Sequence, residues 1–550
     1  MKSSINNTFI FFFILFTCLV FKAFSQQCIW SSTAGGTDFD CGRFIATDKN
    51  GNTYVAGNTS SNSCYFVTDT IHDDPFLVKY SSSGSEEWVF ELKTGPGTNW
   101  QDKPGLLCVV FDTLREELLL TGSFYNYLAL SDTTVSKPGA NIFILKLNTD
   151  GNRLWIRIAG GNGIDWGTGI TYDENGNFYV SGVNSSEAAF DQITIPRGGF
   201  LAKYNANGNV IWAKNKFRYS PYSSSFTEAS PSSLLYSNNN LFVNGTLSND
   251  TIIIDTVTLI NQVDFVSSYI ASFSTEGNLK WINTAGGPEA NPGYQIGIDH
   301  SMNLYITGIF YGKGVFGNDT LTNTSGSGDC FLAKYHPNGQ LQWVTQTNTS
   351  QSTWGRSVAA FSDEGVYLGG HFSGTIHPGD TAITSISNSD MFLVHYSLNG
   401  HFVGITHYGH GDIVSIATDE HGNVCFTGEF EDTLSIGSNT FYSRGGDDFF
   451  AAKCSPIIGG IESPHFQSDQ LLIYANPTNG ICNITIPENL QHETDLTLFI
   501  YDGTGKLIQK IPVHFDQDKI TINIKAEAKG IYNAVLTNGK KNYSGKIVFD

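Results

Sequence analysis

The chain has 550 residues, with 51 acidic against 31 basic side chains, a formal charge of −20 and a pI near 5.0. That balance argues against a nucleic-acid or anionic-lipid partner, since either would want a basic face. Aromatic content of 13%, charged content of only 15% and 58 glycines describe many short strands joined by tight turns. Disorder would need more charge and fewer aromatics.

Residues 1–25 read as a secretory signal: Lys2 at the positive end, an apolar run Ile10–Phe21, and the small-x-small site Ala23-Phe24-Ser25. The run falls short of the roughly 18 apolar residues that a membrane span needs, and Lys22 interrupts it. Leu15-Phe16-Thr17-Cys18 is a poor lipoprotein box, because small residues should precede the cysteine. Cleavage is expected, with export into the periplasm and no transmembrane segment in the mature chain. Of nine cysteines, Cys18 leaves with the signal; the rest enter an oxidising compartment and show no metal-type C-x-x-C spacing.

From there a segment reading F-L-x-K-Y-x-x-x-G-x-x-x-W recurs about every 60 residues, a period that marks units stacking on one another. Phe76–Trp88, Phe143–Trp155, Phe200–Trp212, Tyr269–Trp281 and Phe331–Trp343 are five copies, and Phe392–Gly404 keeps the frame with Gly in place of Trp. The seventh copy is split: it ends at Cys454, and the missing tryptophan stands at the other end of the chain as Trp30. Each unit holds four strand-like runs. The first ends in Asp (Asp48, Asp112, Asp173, Asp299, Asp419), and a turn follows, often Gly-Asn. The second surrounds an aromatic and ends in Gly, as at Thr53–Gly57 and Leu304–Gly308. The third is F-L-x-K-Y, and the fourth carries the Trp. Runs of this length and composition bounded by Gly, Asn and Asp are strands, and no sustained helical period appears. Four strands per unit, radially repeated, predict an all-β propeller of seven blades over 26–454, closed by an N-terminal strand.

These units resemble the seven-bladed β-propeller repeat family of exported bacterial proteins. The resemblance spans about Cys28 to Cys454 and rests on the G-N-x-Y-V-x-G and F-L-x-K-Y-x-x-x-G-x-x-x-W frames. It implies a fold, and that fold hosts binding, scaffolding and catalysis alike.

Residues 455–470 hold Pro, Gly and Ser and read as a linker. After them, 471–550 alternates strands with Asp-Gly and Asn-Gly turns, which predicts a small β-sandwich. This tail resembles the type A C-terminal sorting domain of the type IX secretion system, found in Bacteroidetes-type bacteria. The matching residues are Tyr474, Asn476 and Pro477 with Gly480, then Gly505 and Lys506, Gly530, Ile531 and Tyr532, and Lys546; Ala475 stands where that family usually has proline. The resemblance implies that the type IX machinery is a partner, that the tail is usually removed, and that the product is secreted or held at the cell surface.

No nucleophile elbow, Gly-rich phosphate loop or H-E-x-x-H helix is present. Asp48, Asp173 and Asp419 stand in D-x-x-G-N runs, which offer two or three ligands where calcium wants more. Backbone chemistry of hairpin turns explains them better. His371, His377, His395, His401, His407, His410 and His421 are read as surface histidines; His407 and His410 would need a third ligand to hold zinc. Phe124, Tyr125, Tyr127, Phe310 and Tyr311 either form a sugar-stacking platform or pack beneath their own loops. Asp-Thr pairs at Asp69, Asp132, Asp250, Asp319, Asp380 and Asp432 resemble a bacterial O-glycosylation motif, and a shared turn would give the same positions.

Neither metal nor cofactor is called for. The expected function is a non-catalytic binding or scaffold module with an extracellular glycan or protein ligand. The alternative is an extracellular enzyme acting on glycan or peptide at the channel mouth, and catalysis would require unlike residues converging from particular blades. One pairing is specific. In the complete copy Tyr204–Trp212 a three-residue hairpin loop with Gly208 left-handed pairs Tyr204 with Val210. Transferred to the split copy, Cys454 faces Cys28, and a disulfide closing the ring is expected.

Overall fold

The computed structural model describes residues 26–72, 74–95, 105–218, 229–247, 251–260, 267–286, 293–361, 365–379, 381–457, 460–462, 471, 473–474, 477–486, 496–502, 506–513, 519–537 and 542–549. The signal at 1–25 lies outside them. All the regular elements in this set are strands. The four runs of each repeat become four antiparallel strands in chain order. Sheet one is Asp40–Thr47, Thr53–Thr59, Pro75–Tyr80 and Glu86–Glu91; sheet two is Gly105–Asp112, Glu117–Leu130, Thr133–Asn148 and Arg153–Gly161. Sheet three is Asp165–Tyr172, Phe178–Asn184, Gly198–Tyr204 and Val210–Arg218; sheet four is Ala229–Ser237, Asn240–Leu247, Ser267–Ser274 and Leu279–Gly286. Sheet five is Gly293–Ile298, Leu304–Phe310, Asp329–Tyr335 and Leu341–Gln346. Sheet six opens with Ser352–Phe361, Gly365–Ser373 and Asp390–Tyr396. Its fourth strand, Phe402–Thr418, continues as the first strand of sheet seven, which adds Val424–Phe430, Asp448–Cys454 and the N-terminal Cys28–Ala34.

The first strands touch one another in cyclic order, and Asp40–Thr47 meets both Gly105–Asp112 and Phe402–Thr418. The core lies between sheets. Tyr54, Ala56 and Leu77 pack with Phe111, Leu118 and Leu145 of sheet two, while Val55, Phe76 and Val78, on the opposite face of sheet one, pack with Cys425, Phe449 and Ala451 of sheet seven. Alternate side chains of one strand therefore feed two different interfaces.

Two further devices join neighbours. The tail of each fourth strand pairs with the arm that follows the second strand of the next sheet: Thr94 with Leu128, Gly161 with Ala188, Arg218 with Ile253, and Gly286 with Val315. Isolated bonds complete the circuit, His377 N–H to Thr347 O and Ser350 N–H to Thr375 O, both at 2.7 Å, Glu431 N–H to His410 O at 3.2 Å and Tyr65 N–H to Gly35 O at 3.0 Å. The repeat tryptophan also covers the outer hairpin of the following sheet. Trp88 donates to Thr149 O (3.2 Å) and lies on Gly151, whose φ is +79° and where a Cβ would meet the ring at 3.2 Å. Trp281 and Trp343 repeat this on Pro337 O and Leu398 O, each at 3.0 Å. Glycine at that turn is thus required twice, for its left-handed backbone and for the indole above it.

The split copy follows the register expected for it. Cys28 pairs with Cys454 and Trp30 with Lys453 across a bulge, as Val210 pairs with Tyr204 and Trp212 with Lys203. Gly208 has φ +79° and closes the reference loop. The Cys28–Cys454 disulfide is formed, with an S–S distance of 2.01 Å across 426 residues of sequence. Cys41, Cys64, Cys330, Cys425 and Cys482 are buried free thiols, and Cys108 is a partly buried one.

Sheet seven, being split, has no outer hairpin for a preceding tryptophan to cover, and residue 404 is Gly. Instead, Gly460–Glu462 pairs in parallel with Gly404–Thr406. Residues 455–470 therefore do not behave as a free linker throughout. Ser455 N–H donates to Gln27 O at 2.7 Å, buried Ile457 O lies 3.0 Å from His395 Nδ1, and 460–462 is strand. The remainder of that segment, 458–459 and 463–470, lies outside the described residues.

The chain divides into two compact units, residues 1–432 with 443–462, and 433–442 with 463–550. In the second, Ile473–Tyr474, Ile481–Thr485 and Lys519–Asn523 form one sheet, while Leu507–Pro512, Thr497–Tyr501, Gly530–Thr537 and Asn542–Phe549 form another. Cys482, Ile484 and Ile522 from the first share a core with Leu498, Ile500, Leu536 and Ile547 from the second.

Replacing both Cys28 and Cys454 by Ser is expected to lower the unfolding free energy by on the order of 5 kcal/mol at most, since the bond closes so long a loop. Urea unfolding in non-reducing buffer measures it; an unchanged midpoint would mean that the sheet-to-sheet contacts alone hold the closure.

Candidate functional site

The recurrent aspartates are turn-formers. Asp48 Oδ1 accepts from the N–H groups of Asn50 and Asn52 (both 2.9 Å), while Oδ2 accepts from Asn52 Nδ2 (2.8 Å) and Tyr54 OH (3.1 Å). Asp173 repeats the set with Asn175, Asn177 and Tyr179, and Asp419 repeats it with His421 and Asn423. Both oxygens of these buried carboxylates are taken by the turn and strand of their own sheet. The repeat lysine completes the unit: Lys453 Nζ sits 2.5 Å from Asp419 and donates to Gly51 O at 3.1 Å, which ties sheet seven to sheet one.

Two of the expected surface histidines are interior. His395 is 7% exposed and stacks on Tyr367 at 4.5 Å; His407 is 4% exposed, against Phe372 and 3.4 Å from Asp390. His395 stands at the repeat position of Lys334, and that lysine is itself buried, over the Tyr305 ring and 3.6 Å from Asp299. Phe124 and Phe310 are wholly buried and pack with their sheets rather than forming a platform. The Asp-Thr pairs at Asp69, Asp132, Asp319 and Asp432 all lie in the arms between second and third strands. Asp250 and Asp380 lie outside the described residues.

What sequence reasoning missed is a β-bulge at one position in all seven first strands. The unpaired residues are Arg43, Leu107, Thr168, Ser232, Tyr294, Arg356 and Val414. A bulge re-aims one side chain and sharpens the local twist. The available signal was the glycine just before it, at Gly42, Gly167, Gly293 and Gly355. There the inner strand presses on the previous sheet: a Cβ on Gly42 would lie 2.0 Å from Thr427 Oγ1, and one on Gly355 2.3 Å from Thr307 Oγ1.

At the bulges of sheets five to seven the symmetry breaks. Arg356 Nε donates to Asp412 Oδ2 at 2.8 Å, and its guanidinium lies 5.0 Å from the Trp354 ring and 5.5 Å from the Tyr294 ring. His371, paired across the strands with Trp354 and stacked on it at 5.8 Å, brings Nδ1 to 3.0 Å from the same Asp412 oxygen. Burial disfavours the Asp412 anion, but the bonds from His371 and Arg356 outweigh it and hold the carboxyl below its ordinary range. Glu429 stands opposite Asp412 on the adjacent strand. Burial raises the Glu429 carboxyl, against the opposing pull of Cys41 and Arg43 of sheet one. Asp412 Oδ1 and Glu429 Oε2 have no hydrogen-bond partner among the described residues. Both acids are therefore braced from neighbouring sheets, and each presents one unused acceptor. No group of three or more metal-ligating side chains forms among the described residues.

In the C-terminal unit the matching residues occupy turns and three strands, Ile473–Tyr474, Gly530–Thr537 and Asn542–Phe549. Tyr474 and Pro477 are exposed, and Gly480 has φ +98° with its carbonyl accepting from Ile524 N–H at 2.8 Å. Lys506 closes a turn on Asp502, Ile531 is exposed, Tyr532 is buried and donates to Ala528 O, and Lys546 faces solvent. Asn476, Gly505 and Ala475 lie outside the described residues. No helix among the described residues is long and apolar enough to cross a membrane.

Arg356→Ala would strand a buried carboxylate and is expected to cost about 3–5 kcal/mol, with Asp412→Asn costing less. Because the Asp412 carboxyl is depressed in the folded state, its stabilisation is present above the ordinary carboxylate range and is lost as pH falls through the folded value. The stability difference between wild type and Asp412→Asn, followed by urea unfolding, should therefore shrink below about pH 4.

Residues 472–550 match the family described as Secretion system C-terminal sorting domain, and residues 41–63 match the Beta-propeller repeat. An uncharacterised WD repeat-containing protein, L264, of Acanthamoeba polyphaga mimivirus is 22% identical over 469 residues, which is 67% of this chain and 33% of that protein. The chain thus spans about a third of that relative's length. The solved extracellular domain of the putative one component system BT4673 from B. thetaiotaomicron is 10% identical, covering 92% of this chain and 86% of that one, at a TM-score of 0.17. So low a score carries no argument on the fold. Repeat frame, strand order and tail match lead to one conclusion: the chain carries a β-propeller repeat and a C-terminal sorting domain of the type IX secretion system, which sends it to the cell surface or exterior.

Proposed function

We propose that residues 26–454 are a seven-bladed β-propeller closed by its N-terminal strand, and that it works outside the cell as a non-catalytic binding module. Cyclic contact of the seven first strands supports the blade count. The observation that carries the binding reading is the set of side chains at the seven equivalent bulges, which vary as recognition needs and include no carboxylate for the acid chemistry of the enzymatic alternative. The repeated residues are taken up by structure: Asp48, Asp173 and Asp419 by their turns, Lys334 and Lys453 by the neighbouring sheet, and Trp88, Trp281 and Trp343 by the next hairpin. The bulge position carries no residue of the repeat frame, and Arg43, Thr168, Ser232, Tyr294, Arg356 and Val414 are each only partly buried there. A uniform frame bearing variable, re-aimed side chains suits recognition of an extracellular glycan or protein, as loops on a rigid scaffold do.

The full exported chain, passed over glycan and peptide arrays, should bind a restricted set of ligands, and Tyr294→Ala with Arg43→Ala should weaken that binding at least tenfold. Undiminished binding would move the site elsewhere. Turnover of any array compound, lost on substitution of one carboxylate, would replace the binding reading with an enzymatic one.

The tail is proposed to engage the type IX secretion machinery and to be dispensable for folding of the ring. Deleting 471–550 is expected to leave a folded ring in the periplasm, detected by fractionation and protease resistance. Normal delivery of the truncated chain would sink this role.

A further inference from the structure

One junction recurs at the end of the ring where the first strands begin. The N–H that opens a first strand donates to the carbonyl just before the third strand of the preceding sheet: Asp40 to Asp447 O at 2.7 Å, Thr353 to Gly328 O at 2.9 Å, and Gly411 to Ser389 O at 3.1 Å. The third-strand residue two before the repeat phenylalanine lies beside the start of the next first strand, and between sheets two and three the Ala140–Ile164 bridge marks the same place. The pairs are Asn141 with Asp165, Asp329 with Thr353, Asp390 with Gly411, and Asp448 with Asp40. Among the described junctions, only the last has an acid at both positions, and it is the seam where sheet seven meets sheet one.

Asp40 is 0% and Asp448 2% exposed. Asp40 Oδ2 accepts from Gly36 N–H at 2.7 Å and Ser61 Oγ at 2.9 Å; Asp448 Oδ2 accepts from Arg444 N–H at 3.3 Å. Oδ1 of each has no hydrogen-bond partner among the described residues. The junction between sheets two and three is a control within the same molecule. Gly161 N–H donates to Asp165 Oδ2 at 2.6 Å, as Gly36 does to Asp40, and a Cβ on Gly160 would lie 2.7 Å from both Asn141 and Asp165. The opposing residue there is a neutral amide. Two anions cannot occupy such a dry space, whereas a protonated carboxyl is a neutral donor of nearly the same shape as the amide.

We propose that Asp40 and Asp448 hold one proton between them, so that the seam is fastened by a hydrogen bond from carboxylic acid to carboxylate and loosens when that proton leaves. The other groups facing the pair are Arg444, Asp447 and the Cys64 thiol. Arg444 donates to Gly35 O at 3.0 Å and Tyr65 O at 3.1 Å, so its cation is directed at carbonyls rather than at the acids. Burial, and after it the Asp40 charge, pushes the Asp448 carboxyl up to about 7; burial also raises Asp40. Two unused oxygens fall far short of the six to eight that calcium takes, which leaves a proton as the occupant. With the folded value raised, the stabilisation is full below the ordinary carboxylate range, about 4, and is lost as pH rises to about 7.

Urea unfolding of the full chain from pH 5 to 9 tests this with Asp448→Asn and, in the control junction, Asn141→Asp. The unfolding constant of wild type should rise relative to Asp448→Asn by up to about tenfold per pH unit towards pH 7, then level off. Asn141→Asp should acquire an added slope of the same sign. A pH-independent difference between wild type and Asp448→Asn would overturn the proposal. So would a shift of wild type alone on adding calcium or EDTA, which would make the occupant a cation. If Asp448→Asn does not fold, Asn141→Asp decides alone, and no added slope there refutes the shared proton.

Discussion

Each sheet of the ring is apolar on both faces, and no sheet can satisfy that alone. Val55 and Phe76 need Phe449 on one side, while Tyr54 and Leu77 need Phe111 and Leu145 on the other. A linear stack would leave two such faces in water, at a cost of about 25 cal/mol for each Å² exposed. Closure removes both ends of the stack at once. The covalent and polar fastenings around the circuit are secondary to that demand, and the disulfide acts where the chain gives no continuity, between Cys28–Ala34 and Asp448–Cys454 within sheet seven.

At that interface the strand Asp448–Cys454 is tied at both ends. Its last residue is bonded to Cys28, and its first faces Asp40 across the seam. Between them Lys453 reaches Gly51 O, an attachment that Lys334 repeats within the ring on Leu398 O. The seam therefore uses the ordinary repeat contacts and adds two of its own, one redox-sensitive and one proton-sensitive. Peptide connectivity supplies the corresponding constraint at the hairpin of every unsplit sheet.

Much of this was legible in the chain because the determinants are local. Tyr204-Asn-Ala-Asn-Gly208 dictates a loop length, the loop dictates a register, and the register transfers to Cys28 and Cys454 without further information. The bulges were not legible in the same way: their partner lies on the next strand, and only four of the seven carry the preceding glycine. His395 and His407 were misplaced for a related reason. His395 stands at the position of the repeat lysine, which is buried by stacking on tyrosine with an anion beside it, and His407 stands on the fourth strand opposite Phe392, where its neighbours are Phe372 and Asp390. The asymmetric cluster around Asp412 needed three sheets to be brought together, which no window of sequence contains.

The division of sheet seven between the chain ends sets an order on biosynthesis. Cys28–Ala34 is made first, yet its partner strand Asp448–Cys454 comes 426 residues later between the paired cysteines, so the leading strand must wait as an unpaired edge while six sheets assemble behind it. Contacts of such sequence separation form slowly. During that interval Cys28 is a free thiol on an open edge, so the ring is most exposed to mispairing before its last fifty residues of propeller sequence arrive. A compartment that oxidises thiols early would work against this fold, and one that reshuffles them would help it.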